Sequence, residues 1–200
     1  VTEEEKEGII HHCVDILNPD ETYSVHDFQQ TVRKKITEIT QRGHVPIIVG
    51  GTGLYVDSLI YGIEYQDIKF DEQYRKELEN RVEQEGLESL YNEAKKIDPQ
   101  AMEKISSNDQ KRILRVLEIY KATGKTKTEQ ERKSREKEPE FDYLVYGLNM
   151  PREKLYERIN LRVDIMIKQG LIKEVEEIYK KYNEFPTAMQ GLGYKEVVEY

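Results

Sequence analysis

Cysteine occurs once in the 200 residues, tryptophan is absent, and no window approaches the roughly 18 consecutive apolar residues of a membrane span. Cys13 alone can close no internal disulfide and build no multi-cysteine zinc site, which fits a reducing, cytoplasmic setting. The opening VTEEEKEG is acidic where a secretory signal is basic and then apolar, so the chain is expected to be neither secreted nor anchored. No internal repeat is visible. A Ser-His-Asp or Cys-His arrangement cannot be assembled, and His11-His12 lacks partners at ligand spacing, so no protein-held metal is expected.

What remains is a charged, globular composition, 37% hydrophobic and 35% charged, with a net charge of −8. That balance argues against a protein that coats nucleic acid, but the average hides an asymmetry. Residues 64 to 103 hold 12 acidic and 6 basic side chains, whereas residues 104 to 137 hold 11 basic and 5 acidic ones. A solvated helix face with a charged loop explains such a block as readily as a ligand does.

Apolar spacing divides the chain. Phe28, Val32, Ile36 and Ile39 form one stripe of a helix over 26–42, with Gly43 as its stop. VPIIV at 45–49 reads as a strand buried on both faces. It runs into Gly50-Gly51-Thr52-Gly53 and a helix in which Leu54, Leu59 and Ile60 can face a core. From 70 to 123 the pattern is helix after helix. Tyr74, Leu78 and Val82 form one stripe before Gly86, a second helix ends at Pro99, and Ser107-Asn108-Asp109 offers caps for a third that stops at Gly124. Residues 125–140 carry no aliphatic or aromatic side chain and read as mobile or ordered by a partner. Strand signal returns in FDYLVYGLNM. Pro151 opens a long helix whose Leu155, Ile159, Val163, Met166 and Ile167 are expected to be buried.

Three groups can carry chemistry. Gly50, Gly51, Thr52 and Gly53, between strand and helix, can cradle an anion or can be a tight turn; the lysine of a Walker A loop is missing. Lys111, Arg112 and Arg115 cluster at a helix start, suited to phosphate or to plain solvation. Arg158 and Arg162, one turn apart, can fork onto a pyrophosphate or pair with Glu157 and Asp164. The 14 tyrosines read mostly as core and rim residues.

Taken in order, HHCVDILNPDETYSVHDF, RGHVPIIVGGTGLYVDSLIYG, NDQKRILRVLEIYKATGKT, LYERINLRVDIMIKQGLIKEV and MQGLGYKE resemble the tRNA dimethylallyltransferase (tRNA isopentenyltransferase) family along essentially the whole chain. The resemblance implies an α/β fold, a P-loop NTPase (kinase-like) parallel sheet core at 1–64 and 141–200, and an all-helical tRNA-binding insertion at 65–140. It implies transfer of a dimethylallyl group from dimethylallyl diphosphate to N6 of the adenosine 3′-adjacent to the anticodon, with Mg²⁺ bound through the diphosphate. Thr52 matches a residue of the reaction channel, with Gly50, Gly51 and Gly53 beside it. Arg162 matches a diphosphate contact, with Arg158 one turn earlier. Arg75, the run Lys111, Arg112, Ile113, Leu114 and Arg115, and the run Gln190, Gly191, Leu192, Gly193, Tyr194 and Lys195 match positions that contact the tRNA anticodon stem-loop.

In the family pattern a nucleotide-type P-loop and an aspartate acting as general base come before the HH block, and a helical stretch follows GYKE. The chain is therefore expected to be the middle of a longer, monomeric enzyme and inactive by itself. Three other readings stand beside it: a prenyltransferase of free adenine nucleotides, a noncatalytic tRNA-binding fragment, and a small P-loop kinase.

Overall fold

A computed structural model describes residues 3–63, 71–136, 138–185 and 187–200. The chain folds as two compact units, one of residues 48–142 and one made from 1–47 together with 143–200. The insertion boundary expected between residues 64 and 65, and the last residue of the basic block at 137, lie outside the described residues. The helix that follows the GGTG turn belongs with the helical unit.

In the unit of residues 48–142, α2 (Gly53–Ile60) is followed by α3 (Glu72–Glu85), α4 (Leu87–Ile97), α5 (Pro99–Met102), α6 (Gln110–Thr123) and α7 (Lys127–Ser134). Each boundary has a local cause. Asp71 caps α3 through the N–H groups of Gln73 and Tyr74, and Asp109 caps α6 through that of Arg112. Gly124, at φ +66°, ends α6 in the left-handed conformation that glycine adopts without penalty. The core forms where the apolar stripes meet. Leu78 of α3, Leu90 and Ala94 of α4, Met102 of α5, and Ile113, Leu114, Val116 and Leu117 of α6 are buried together. Each large aliphatic side chain so buried contributes about 1.5–3 kcal/mol. In α2, Leu59 is buried as expected and Ile60 partly covered, but Leu54 is exposed.

Residues 125–140 correct the expectation of a mobile segment, because α7 forms within them. Thr126 and Glu129 make a reciprocal capping box at its start. Asp98, buried at the start of α5, accepts from the N–H of Thr128 at 2.8 Å and from its hydroxyl at 2.6 Å. A helix with no apolar face is thus tied down by hydrogen bonds in place of burial. At the other end of the insertion, Gly62 has φ +60°, and a Cβ there would stand 3.2 Å from the backbone of Pro139. The two ends of the insertion therefore run side by side.

In the other unit, α1 (Val25–Gln41) starts at a Ser24–Asp27 capping box and buries Gln29, Val32 and Ile36. It is followed by α8 (Arg152–Lys168), α9 (Leu171–Lys181), a 3₁₀ turn (Ala188–Gln190) and α10 (Tyr194–Glu199). Helix α9 packs on α8 and on α10 and buries Val175. The structure differs from the sequence reading in two places. Segments 45–49 and 141–150 form no strand, and no strand occurs among the described residues. Val45, Ile47 and Val49 are 84%, 82% and 90% exposed. A strand is stabilised by the ladder beside it, and these runs have none. Leu155, Ile159, Val163 and Ile167, expected to be buried along α8, are exposed, because among the described residues α9 alone packs along that helix to any extent.

Burial favours protonated Asp98, but the hydroxyl and N–H of Thr128 and the N–H of Ala101 outweigh it and hold the carboxyl below its ordinary value. Asp98→Ala leaves these donors unmatched and should destabilise the helical unit by about 1–3 kcal/mol in urea unfolding. A depressed carboxyl contributes stability that is present above the unfolded value near 3.9, on the order of the model-peptide figure, and lost as pH falls through the lower folded value. The difference between wild type and Asp98→Ala should therefore shrink on acidification below that point.

Candidate nucleic-acid interface

Helices α3 and α6 pack through Leu78 and the buried stripe of α6, and this contact decides which polar side chains meet outside the core. Arg75 on α3 and Lys111, Arg112 and Arg115 on α6 come together along one groove of about 610 Å³, with Lys76 and the carboxylates Glu72, Glu79 and Glu118 also lining it. A second depression of about 650 Å³ shares Arg75 and Lys111 and extends over Ser106, Asn108 and Gln110. Residues far apart in sequence thus build one basic surface, on a chain whose net charge is −8.

Glu118 is the polar centre of this groove. Its carboxylate is 6% exposed. Arg75 donates from Nη1 to Glu118 Oε1 at 3.2 Å and from Nε to Glu79 at 2.8 Å, while Arg115 Nη1 stands 4.0 Å from Glu118 Oε2. Burial disfavours the charge on Arg75, but the two carboxylates outweigh it and raise its pKa. Burial and the nearby Arg75 lower that of Arg115, against the attraction of Glu118. Arg112 is exposed and pairs with its own cap, Asp109. Ile113 and Leu114, inside the run matched to tRNA contacts, are fully buried, so their side chains cannot touch a ligand and instead anchor the helix that presents the arginines.

The GGTG turn has a telling backbone. None of Gly50, Gly51 and Gly53 has positive φ, and a Cβ on any of them would meet open space. No turn conformation and no neighbour among the described residues requires glycine there. What glycine leaves open is the outer face of the backbone. Thr52 caps α2 with its main chain only, and its hydroxyl makes no hydrogen bond among the described residues. The amides at the start of α2 and this hydroxyl are available to an anion.

Arg158 and Arg162 lie on α8 in the other unit, exposed, and neither pairs with Glu157 or Asp164 among the described residues. Gln190 ends the 3₁₀ turn, Gly191 and Leu192 are exposed, and Gly193 at φ +94° turns the chain into α10. Lys195 pairs with Glu199 at 3.4 Å. Tyr194 donates its hydroxyl to Glu174 of α9, which ties the run to that helix. This bond, with burial, pushes the Tyr194 phenol up to about 12.

Sequence reasoning missed Lys76 and Glu118. The signal for Glu118 was present, since it is a charged residue inside the apolar stripe of ILRVLEI, where only a paired charge is tolerated. Among the described residues no group of three or more His, Cys, Asp or Glu is arranged to hold a metal ion. No described helix is long and apolar enough to cross a membrane.

A family model described as IPP transferase matches residues 1–200. A tRNA dimethylallyltransferase of Acetivibrio thermocellus is 47% identical over 199 residues, covering 99% of this chain and 64% of the relative. One from Carboxydothermus hydrogenoformans is 47% identical over 200 residues, again covering 64% of the relative. The chain thus spans about 64% of the length of these relatives. Among solved structures, the tRNA isopentenylpyrophosphate transferase of Bacillus halodurans superposes with a TM-score of 0.62 at 41% identity, covering 100% of this chain and 61% of that one. A eukaryotic dimethylallyltransferase acting on tRNA gives a TM-score of 0.78 at 30% identity, covering 99% of this chain and 51% of that one.

Replacing Glu174 by Gln removes the carboxylate that favours the neutral Tyr194 phenol. The ring signal of Tyr194, followed by NMR through alkaline pH, should then titrate closer to the ordinary value of about 10. An unchanged titration would show that the hydroxyl is held by another group.

Proposed function

We propose, from the premise that the chain belongs to the IPP transferase family, that it is the tRNA-gripping and diphosphate-facing part of an enzyme that transfers a dimethylallyl group from dimethylallyl diphosphate to N6 of the adenosine 3′-adjacent to the anticodon. The observation that carries the RNA half of this reading is the groove that gathers Arg75, Lys111, Arg112 and Arg115 on one face of the helical unit. Arginine forks of this kind match phosphate oxygens, and a modifying enzyme for free nucleotides has no use for a basic surface of this size.

In the reaction, N6 attacks the allylic C1, the C1–O bond breaks, and its electron pair leaves on the diphosphate. The amine proton passes to a base, which the family pattern places ahead of the HH block. Adenosine N6 is held in a base stack, so the base must be extruded and set against the allylic carbon. The part assigned to this chain is electrostatic. Arg162, with Arg158 one turn earlier, would take the growing charge of the departing diphosphate, and the GGTG backbone with the Thr52 hydroxyl would line the channel. Mg²⁺ would travel with the diphosphate and would supply positive charge to it as it departs. The kinase-like parallel sheet belongs to the same proposal, with the runs 45–49 and 141–150 as strands that would need partners from the rest of the enzyme.

Three experiments test this reading. Reversing the charge of Arg112 and Arg115 in the full-length protein should weaken affinity for an anticodon stem-loop and flatten its salt dependence, because fewer phosphates release counterions. An unchanged slope would return the block to a solvated face. Arg162→Ala should lower kcat/KM for the allyl donor by about 10²-fold to 10³-fold with tRNA affinity nearly intact, and lysine should rescue poorly because it lacks the planar fork. Weakened tRNA binding with normal donor kinetics would move Arg162 onto the RNA surface. Thr52→Val, nearly equal in volume, should lower turnover without loss of stability.

A further inference from the structure

A carboxylate at the heart of a groove meant for phosphates is electrostatically costly. At Glu118 it is also buried, which adds a desolvation cost that only close cationic partners offset. Its position accounts for its presence. Arg75 from α3 and Arg115 from α6 face each other across the groove, and two guanidiniums so placed repel. Glu118 stands between them with one oxygen toward each, at 3.2 Å and 4.0 Å. Arg75 is further held at its Nε by Glu79, at 2.8 Å. Long cationic side chains lose about 2 kcal/mol of rotamer freedom when fixed, and here much of that loss is taken on folding and not on binding.

We propose that Glu118 is a positioning residue for RNA recognition: its buried carboxylate locks Arg75 and Arg115 into a fixed pair of forks aimed at the phosphates of the anticodon stem-loop. The inference rests on reading the groove as a tRNA surface. Glu118 itself touches no RNA. It acts through the two arginines and orients them across the α3–α6 contact.

The sign of one measurement separates this role from simple electrostatics. Glu118→Gln in the full-length protein removes a negative charge from the groove, so unassisted Coulomb attraction would tighten binding of a synthetic anticodon stem-loop. Loss of positioning should instead weaken it by about 5-fold to 30-fold and make the salt dependence shallower, as loosened arginines stop displacing counterions. In an Arg75→Ala, Arg115→Ala background the same substitution should have little further effect, because the groups it acts through are gone. Binding that is tighter or unchanged in the folded Gln variant, or a full additional loss in the double-alanine background, would overturn the proposal. If the Gln variant fails to fold, Glu118→Asp decides, since it keeps the buried charge but withdraws it by one methylene. Weaker binding with a shallower slope then supports positioning, and wild-type binding overturns it. The charge reversal at Arg112 and Arg115 keeps the two readings apart. If it weakens RNA binding while the Glu118 variants do not, only the role of Glu118 falls, and if it has no effect the RNA reading itself falls.

Discussion

The packing of α6 against α3 and α4 is the constraint on which the helical unit depends. Ile113, Leu114, Val116 and Leu117 bury one side of α6 against Leu78, Leu90 and Met102. Helical geometry then sends Lys111, Arg112 and Arg115 outward, and the approach of α3 adds Arg75 beside them. A slip of α6 by one residue would expose an apolar side chain and bury a guanidinium without enough carboxylate to meet it. The hydrophobic core therefore specifies the basic surface, although no core atom belongs to it.

Polar anchors finish what the core begins. Asp98 and Glu118 are both buried carboxylates, and each joins elements that apolar contact alone would leave loose. Asp98 binds the first turn of α7, a helix with no buried residue, to the start of α5. Glu118 joins α6 to α3 through Arg75. Leaving either carboxylate without partners in the interior would cost several kcal/mol, on the order of the whole stability margin of a small unit, so both contacts also select one arrangement of the helices.

The two halves of the proposed reaction differ in how they are built. The proposed RNA contact needs several cations at a spacing set by a duplex backbone, and α3 and α6 bring several together. Diphosphate departure needs donors placed against one developing charge. The GGTG turn, with glycines that neither φ nor packing demands among the described residues, and Arg158 and Arg162 of α8 carry the residue types for that task. The residues proposed for the first task lie within one unit, on α3 and α6. For the second, the sequence pattern and family membership carry the assignment of Thr52 and Arg162.

Local codes in the sequence determined the helices. Gly86 and Gly124 mark helix ends that the structure reproduces, the expected cap before α6 is made by Asp109, and the stripe Tyr74, Leu78, Val82 turns inward as its spacing requires. Capping and amphipathic periodicity act over a few residues, so they can be read without knowing the fold. Order among the motifs was equally legible, and it carried the family. Tertiary structure alone decided the rest. An apolar run such as VPIIV has the composition of a buried strand, but a strand exists only beside another, and pairing is not written in the run itself. Segment 125–140 lacks the apolar stripe by which helical packing is recognised, and α7 within it is held by Asp98, 30 residues away from Thr128. Arg75 and Arg115 stand out in the sequence one by one, but only the α3–α6 contact, with Glu118 buried between them, brings them together.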